Sequence, residues 1–179
     1  MKFSQTFRGR EQDIIDLFHA TFARAEGAEE GALIGNLVRH QMAGTAEPDL
    51  HVFLAEMDRA IVGGAIFSRL TYDQDDRSVF ILAPVAVASE WQGQGVGQKL
   101  LAHGLETLRY AGVDVVLTYG DPNYYSRVGF KPINESLAPA PFILKQPEGW
   151  LGQSLTGGEM VPFKGAPRCI PALNDPVFW

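Results

Sequence analysis

Apolar residues recur at helical spacing near the start of the chain. Ile14, Leu17, Phe18, Thr21, Phe22 and Ala25 fall on one face of a helix over residues 11–25. Leu33, Ile34, Leu37, Val38 and Met42 do the same over 29–42, with Gly27 and Gly31 punctuating the join. The period then changes to that of strands. Residues 51–56 read as one strand, Asp58-Arg59 as a tight turn, and 61–70 as a second strand in which Gly63-Gly64 signal a bulge. Asp73-Gln74-Asp75-Asp76 reads as a solvated hairpin tip, with recruitment of a cationic substrate as the alternative. Residues 78–87 form a long apolar strand interrupted by Pro84, whose missing N–H suits an edge or a bulge. Gln92-Gly93-Gln94-Gly95-Val96-Gly97 then opens a helix to about residue 111, with Val96, Leu100, Leu101, Leu105 and Leu108 as its buried stripe and Gly112 as its C-cap.

Residues 113–119 are almost wholly apolar, as in a strand covered on both faces. Strand, glycine loop, helix and strand in that order predict a parallel pair joined by a right-handed crossover. Asp121-Pro122-Asn123 turns the chain, and residues 124–128 suffice only for a short helix. From Ser136 onward proline and glycine are dense, yet large apolar residues persist, among them Phe142, Leu144, Trp150, Phe163 and Trp179. That is not a flexible-linker composition. The expected organisation is a core of residues 1–135 and a Pro/Gly-rich extension of residues 136–179 packed on it, with one or two short strands.

Composition narrows the class. The 179 residues suit one domain with a small appendage, and 46% hydrophobic with 20% charged residues is ordinary for a globular protein. A net charge of -6 argues against broad nucleic-acid binding, which needs clustered Lys and Arg, and mildly favours cationic partners such as amines. Cys169 is the single cysteine, so no internal disulfide forms, which fits a reducing compartment. The first ten residues lack an apolar core of signal-peptide length, and no run approaches the roughly 20 apolar residues of a membrane span. The expectation is a soluble cytoplasmic protein without membrane or nucleic-acid partners; a homodimer is compatible with the sequence.

The glycine loop carries the chemistry. Backbone N–H groups converge at a helix N-terminus, where they lack internal partners and the dipole adds positive charge, so anions bind there. Glycines at 93, 95 and 97 let backbone approach a diphosphate. The loop has no lysine, which excludes a Walker-type site, and its Gly-x-Gly-x-Gly spacing is a poor dinucleotide fingerprint. By itself such a cluster reads equally as a tight turn.

Its surroundings add specificity. Residues 82–101 run Leu-Ala-Pro-Val-Ala-Val-Ala-Ser-Glu-Trp-Gln-Gly-Gln-Gly-Val-Gly-Gln-Lys-Leu-Leu. This resembles the central motif of the GCN5-related N-acetyltransferase (GNAT) superfamily, with Gln92, Gly95 and Gly97 in the places of Gln/Arg-x-x-Gly-x-Gly/Ala. Tyr125, four residues before Gly129-Phe130, resembles the superfamily's closing pattern. The resemblance covers roughly residues 3–132, and Leu-x-Pro-Val-Ala-Val with Gly-Asp-Pro-x-Tyr-Tyr is most similar to the YhbS-like branch of predicted N-acetyltransferases. It implies an α+β, three-layer α/β/α fold with a mixed central sheet splayed at the cofactor site, and acetyl-CoA as acyl donor.

The resemblance also implies site residues. The pantetheine arm would lie along the splayed strand at Val85, Ala86 and Val87. The pyrophosphate would lie on Gln92, Gly93, Gln94, Gly95, Val96, Gly97 and Gln98, with Asn123 as a further contact with the arm. Asn123 departs from the commonest pattern, Asn-x-x-Ala before the aromatic residue. Tyr125 is the implied proton donor to the leaving thiolate, its alternative role being to pack beneath the sheet; Tyr124 takes the core-facing aromatic place. A phenol of pKa about 10 and a thiol of about 8.5 are close enough for donation late in bond cleavage. No dedicated general base is evident: Asp121 either orients a water or caps a turn. His19, His40, His51 and His103 lack ligand spacing with a carboxylate, so no metal site is expected. The implied function is transfer of the acetyl group of acetyl-CoA to a small-molecule or peptide amine by direct attack. The alternative is a non-catalytic acyl-CoA-binding regulatory module.

Overall fold

The computed structural model describes residues 1–179. Its elements are β1 (Lys2–Ser4), α1 (Glu11–Glu26), α2 (Ala28–Gly44), β2 (Leu50–Met57), β3 (Ala60–Tyr72), β4 (Asp75–Val87), α3 (Val96–Tyr110), β5 (Val115–Tyr119), α4 (Pro122–Tyr125), β6 (Lys131–Pro132), β7 (Trp150–Ser154) and β8 (Pro167–Arg168), with short 3-10 turns between. Hydrogen bonds order the strands β1-β2-β3-β4-β5-β7-β6, with β8 paired to β3 off that path. β4 and β5 are parallel, whereas β1 with β2, β5 with β7, β6 with β7 and β3 with β8 are antiparallel. The sheet is therefore mixed and the class α+β. The chain divides into two compact units, residues 1–67 with 84–104, and residues 68–83 with 105–179.

In the first unit two adjacent glycines define the layering. A Cβ on Gly63 would meet Leu100 of α3, whereas a Cβ on Gly64 would lie 2.7 Å from the Phe18 ring of α1. Successive strand residues point to opposite faces, so α1 and α3 lie on opposite sides of β3. The expected bulge at Gly63-Gly64 is thus replaced by a strand continuous from Ala60 to Tyr72, in which the glycines make room for helices. On the α3 face Phe53 and Phe67 meet edge to face, with ring centroids 5.5 Å apart.

Gly31 does not punctuate the join between the first two helices. It lies in the first turn of α2, where a Cβ would be 2.6 Å from that of Ala23, and so permits close approach of α1. Asp58 and Arg59 join β2 to β3 with φ of 47° and 72°, the left-handed pair that matches strand twist in a two-residue hairpin turn.

In the second unit β4 pairs with β5 from Val79↔Val115 to Leu82↔Thr118. Asp114, just ahead of β5, receives the Ser78 N–H on Oδ2 at 2.8 Å. The end of α3 closes as expected: Gly112, at φ 84°, donates to Arg109 and Val113 to Leu108, which satisfies the last carbonyls. Residues 136–179 supply β7, which pairs with β5 along its whole length. Trp150 is fully buried, with its indole N–H on the Ala138 carbonyl at 2.8 Å.

The acidic hairpin is tighter than its composition suggests, because β4 begins at Asp75 and only Asp73-Gln74 remain as the turn. Two of its carboxylates, those of Asp73 and Asp75, are engaged within the protein. Asp73 accepts the Ala166 N–H at 2.8 Å, and Asp75 binds Arg77 through both oxygens. Arg77 also donates to the Val161 and Pro162 carbonyls and lies over the Phe163 ring, 3.8 Å from its centroid; Phe163 in turn stacks on Tyr72.

Candidate active site

The glycine loop lies in the first unit. β4 continues to Val87, five residues past Leu82, its last residue paired with β5. Pro84, which cannot donate to a ladder, falls in this continuation. Val85 and Val87 are half-buried and Ala86 is buried. The chain then turns: Ala88 N–H bonds the Val62 carbonyl at 2.9 Å and Trp91 N–H bonds the Ala88 carbonyl at 2.8 Å.

The two loop glutamines brace it. Gln92 Nε2 donates to the Val87 carbonyl at 2.8 Å, and Gln94 Nε2 to the Glu90 carbonyl at 2.9 Å. Gly93 and Gly95 adopt φ of 74° and 76°, a region open to glycine at little cost. This backbone delays the helix, which starts at Val96 instead of within the loop. A Cβ at either glycine would meet nothing within 4 Å, so the loop backbone borders open space. The ladder of α3 opens with Lys99 N–H on the Gly95 carbonyl at 3.1 Å. The amides of Val96, Gly97 and Gln98 precede that bond, and no acidic side chain occupies the first turn. Such a terminus fits an anionic ligand.

Tyr125 lies in the second unit. Asp121 Oδ1 accepts the Asn123 N–H at 2.9 Å and so caps α4, with Pro122 as first helical residue. Asp121 is thereby a capping residue, and Asn123 is exposed. Tyr125 ends α4. Its ring passes over Gly120, where a Cβ would lie 2.7 Å from Cε2, and meets Phe130 edge-on at 5.7 Å and Tyr124 at 5.1 Å.

Burial pushes the Tyr125 phenol up to about 12. Thr118 is fully buried and donates to the Leu82 carbonyl at 2.9 Å. The Tyr124 phenol is also raised by burial. Thr118 and Gly120 lie in this unit but were not singled out from the sequence. For Thr118 the available signal was a polar residue which, with Asp114, interrupts the apolar run 113–119. No group of three or more His, Cys, Asp or Glu side chains is arranged to hold a metal ion. No helix is long and apolar enough to cross a membrane.

Residues 48–132 match the profile of an acetyltransferase (GNAT) domain. The chain is 35% identical over 147 residues to the uncharacterized N-acetyltransferase YjhQ of Escherichia coli (strain K12), covering 79% of this chain and 78% of YjhQ. It therefore belongs to the GNAT family of acetyltransferases and is an acyltransferase. The fold is also that of the GNAT-family N-acetyltransferase YhbS from Escherichia coli, solved in complex with CoA, at a TM-score of 0.80 and 22% identity over 97% of this chain and 92% of that one. A GNAT-family acetyltransferase from Brucella melitensis, solved with acetyl-CoA, gives a TM-score of 0.74 at 24% identity, covering 96% of each chain.

Proposed function

We propose that the protein transfers the acetyl group of acetyl-CoA to an amine acceptor, a small molecule or a peptide, by direct attack of the amine on the thioester. The observation that carries this reading is the loop from Gln92 to Gly95. Its left-handed glycines border open space directly ahead of first-turn amides without intrahelical partners. Val96, Gly97 and Gln98 offer those amides to the pyrophosphate, with the backbone of Gly93 and Gly95 against it. Gln92 and Gln94 hold the loop in shape through bonds to Val87 and Glu90. Val85, Ala86 and Val87 bind the pantetheine arm through backbone groups of the strand end, and the N–H near Val87 polarises the thioester carbonyl. Asn123 is a further contact with that arm.

Tyr125 is the proton donor to the departing sulfur. At about 12 its phenol keeps its proton throughout the working pH range. Its proton therefore moves only as negative charge accumulates on sulfur, late in C–S cleavage. No side chain is assigned as general base, because the Asp121 carboxylate is engaged by the Asn123 amide. The acidic net charge favours cationic acceptors, and the single free cysteine suits work in the cytoplasm.

The test is thiol release from acetyl-CoA against a panel of polyamines, aminoglycosides, amino acids and lysine peptides. Turnover above background with at least one amine supports the enzyme. Calorimetric binding of acetyl-CoA without turnover of any amine supports an acyl-CoA-binding regulatory module instead.

A further inference from the structure

The pairing of β5 with β7 runs one step beyond its last ladder pair, Tyr119↔Trp150: the Gly120 N–H donates to the Gly149 carbonyl at 2.9 Å. Neither glycine has room for a side chain. A Cβ on Gly149 would lie 2.9 Å from the Gly120 carbonyl oxygen and 3.3 Å from the Tyr119 ring. A Cβ on Gly120 would lie 2.7 Å from the Tyr125 ring. Gly120 is therefore the seat of that ring, and Gly149 packs directly against the seat.

Gly149 ends the short turn Pro147–Gly149 and donates its N–H to the Gln146 carbonyl at 2.9 Å. A side chain ties the other end of the turn: the Gln146 N–H donates to the Tyr119 phenol oxygen at 2.6 Å. Two consecutive residues thus hold one turn, Tyr119 through its hydroxyl and Gly120 through its backbone. Gln146, Pro147 and Glu148 are exposed, so hydrogen bonds hold them where side-chain burial does not.

We propose that Tyr119 is a positioning residue for Tyr125. By anchoring Gln146 it keeps the turn, and through Gly149 the backbone of Gly120, at the spacing that seats the Tyr125 ring. This rests on the assignment of Tyr125 as proton donor. Tyr119 itself exchanges no proton in the reaction and acts only through the turn. The rate is sensitive to such placement, since a shift of about 1 Å in a reacting group can cost on the order of 10²-fold. Loss of one exposed hydrogen bond loosens the seat by less than that.

The full-length chain carries an internal control. Tyr72 also holds the C-terminal residues through a phenol, its O–H donating to the Pro139 carbonyl at 2.8 Å, but it ties a residue ahead of this turn. Tyr119→Phe and Tyr72→Phe each remove one hydroxyl and keep the ring. With acetyl-CoA as donor and the fastest amine of the panel above, Tyr119→Phe should lower kcat about three- to tenfold, the order expected for one lost hydrogen bond. The KM for acetyl-CoA should stay within about twofold. Tyr72→Phe should lower the Tm and leave kcat at the parental value. In a Tyr125→Phe background, Tyr119→Phe should be nearly silent, because the hydroxyl it positions is gone.

The inference is overturned if Tyr119→Phe turns over at the parental rate while Tyr125→Phe is slow. It is equally overturned if Tyr119→Phe costs the same factor in both backgrounds, or if Tyr72→Phe slows kcat as much. Parental turnover by Tyr125→Phe itself would instead remove the assignment of Tyr125 on which the inference rests.

Discussion

The side-chain amide of Gln92 donates to the Val87 carbonyl at 2.8 Å, tying the glycine loop to the last residue of β4. The bond spans the turn that carries the chain from strand to helix. It braces the loop against the strand end. Gln92→Met keeps length and loses the donor. The KM for acetyl-CoA should rise severalfold with kcat little changed, as expected from losing one exposed bond worth about 0.5–1.5 kcal/mol. Steady-state kinetics on the purified variant check this, and an unchanged KM would show that the loop holds its shape without the tie.

Gly95 tests the loop directly. Its φ of 76° and the empty space beyond its Cα mean that a side chain there costs backbone strain on the order of 1–2 kcal/mol but no collision. Gly95→Glu should therefore fold, with a modestly lower Tm, while a carboxylate placed against the pyrophosphate weakens acetyl-CoA binding by well over tenfold. Calorimetry on the folded variant reads this, and undiminished affinity would remove the pyrophosphate from the loop.

The C-terminal residues belong to the stability of the second unit. Phe163 is buried between the Tyr72 ring and the Arg77 guanidinium. Phe163→Ala should cost about 3–5 kcal/mol, the range for emptying a buried aromatic site. Truncation before Ser136 removes β7 from its place beside β5 and should abolish a cooperative melt at the parental Tm. Denaturant titration and thermal melts give both numbers. A truncated chain that melts like the full one would make the tail a loose appendage.

Acid should loosen the same region. The Arg77 guanidinium beside Asp75, bonded to both its oxygens, holds that carboxyl well below the usual carboxylate range. In the unfolded chain it titrates near about 3.9. Because the folded pKa is depressed, the contribution is complete above the unfolded value and is lost as pH falls below about 4 toward the folded one. Asp75→Asn should be less stable than the parent at pH 7, and the gap should narrow as the pH is taken from 5 to 3. Melts across that range decide it: a gap independent of pH would mean that Asp75 contributes through shape alone.

Periodicity carried the long elements well. α1, α2, β2, β3, α3 and the Gly112 cap were readable because each has a buried stripe or a defined turn chemistry. β1 was not, because three residues are too few to show alternation. The Gly63-Gly64 pair was read as a bulge because sequence shows the absence of side chains but not the helices that fill the space. The acidic hairpin is exposed at Asp73, Gln74 and Asp76, as read, but the backbone N–H groups that engage Asp73 and Asp75 come from residues about 90 positions away, which no local pattern shows. In the site, Gln92, Gly95 and Tyr125 were legible from motif spacing. The bond of Thr118 to the Leu82 carbonyl was not, since it depends on a strand register that no local pattern encodes.

The central claim is that Tyr125 delivers the proton to the leaving sulfur. Tyr125→Phe removes only the hydroxyl and keeps the ring against Gly120 and Phe130. Tyr124→Phe, one residue away on the same short helix, is the control. The decisive measurement is single-turnover thiol release from saturating acetyl-CoA with a confirmed amine acceptor. The account predicts a loss of about 10²–10⁴-fold for Tyr125→Phe, nearly unchanged acetyl-CoA affinity, and a near-parental rate for Tyr124→Phe. A parental rate for Tyr125→Phe, or a crippled Tyr124→Phe beside an active Tyr125→Phe, would contradict it.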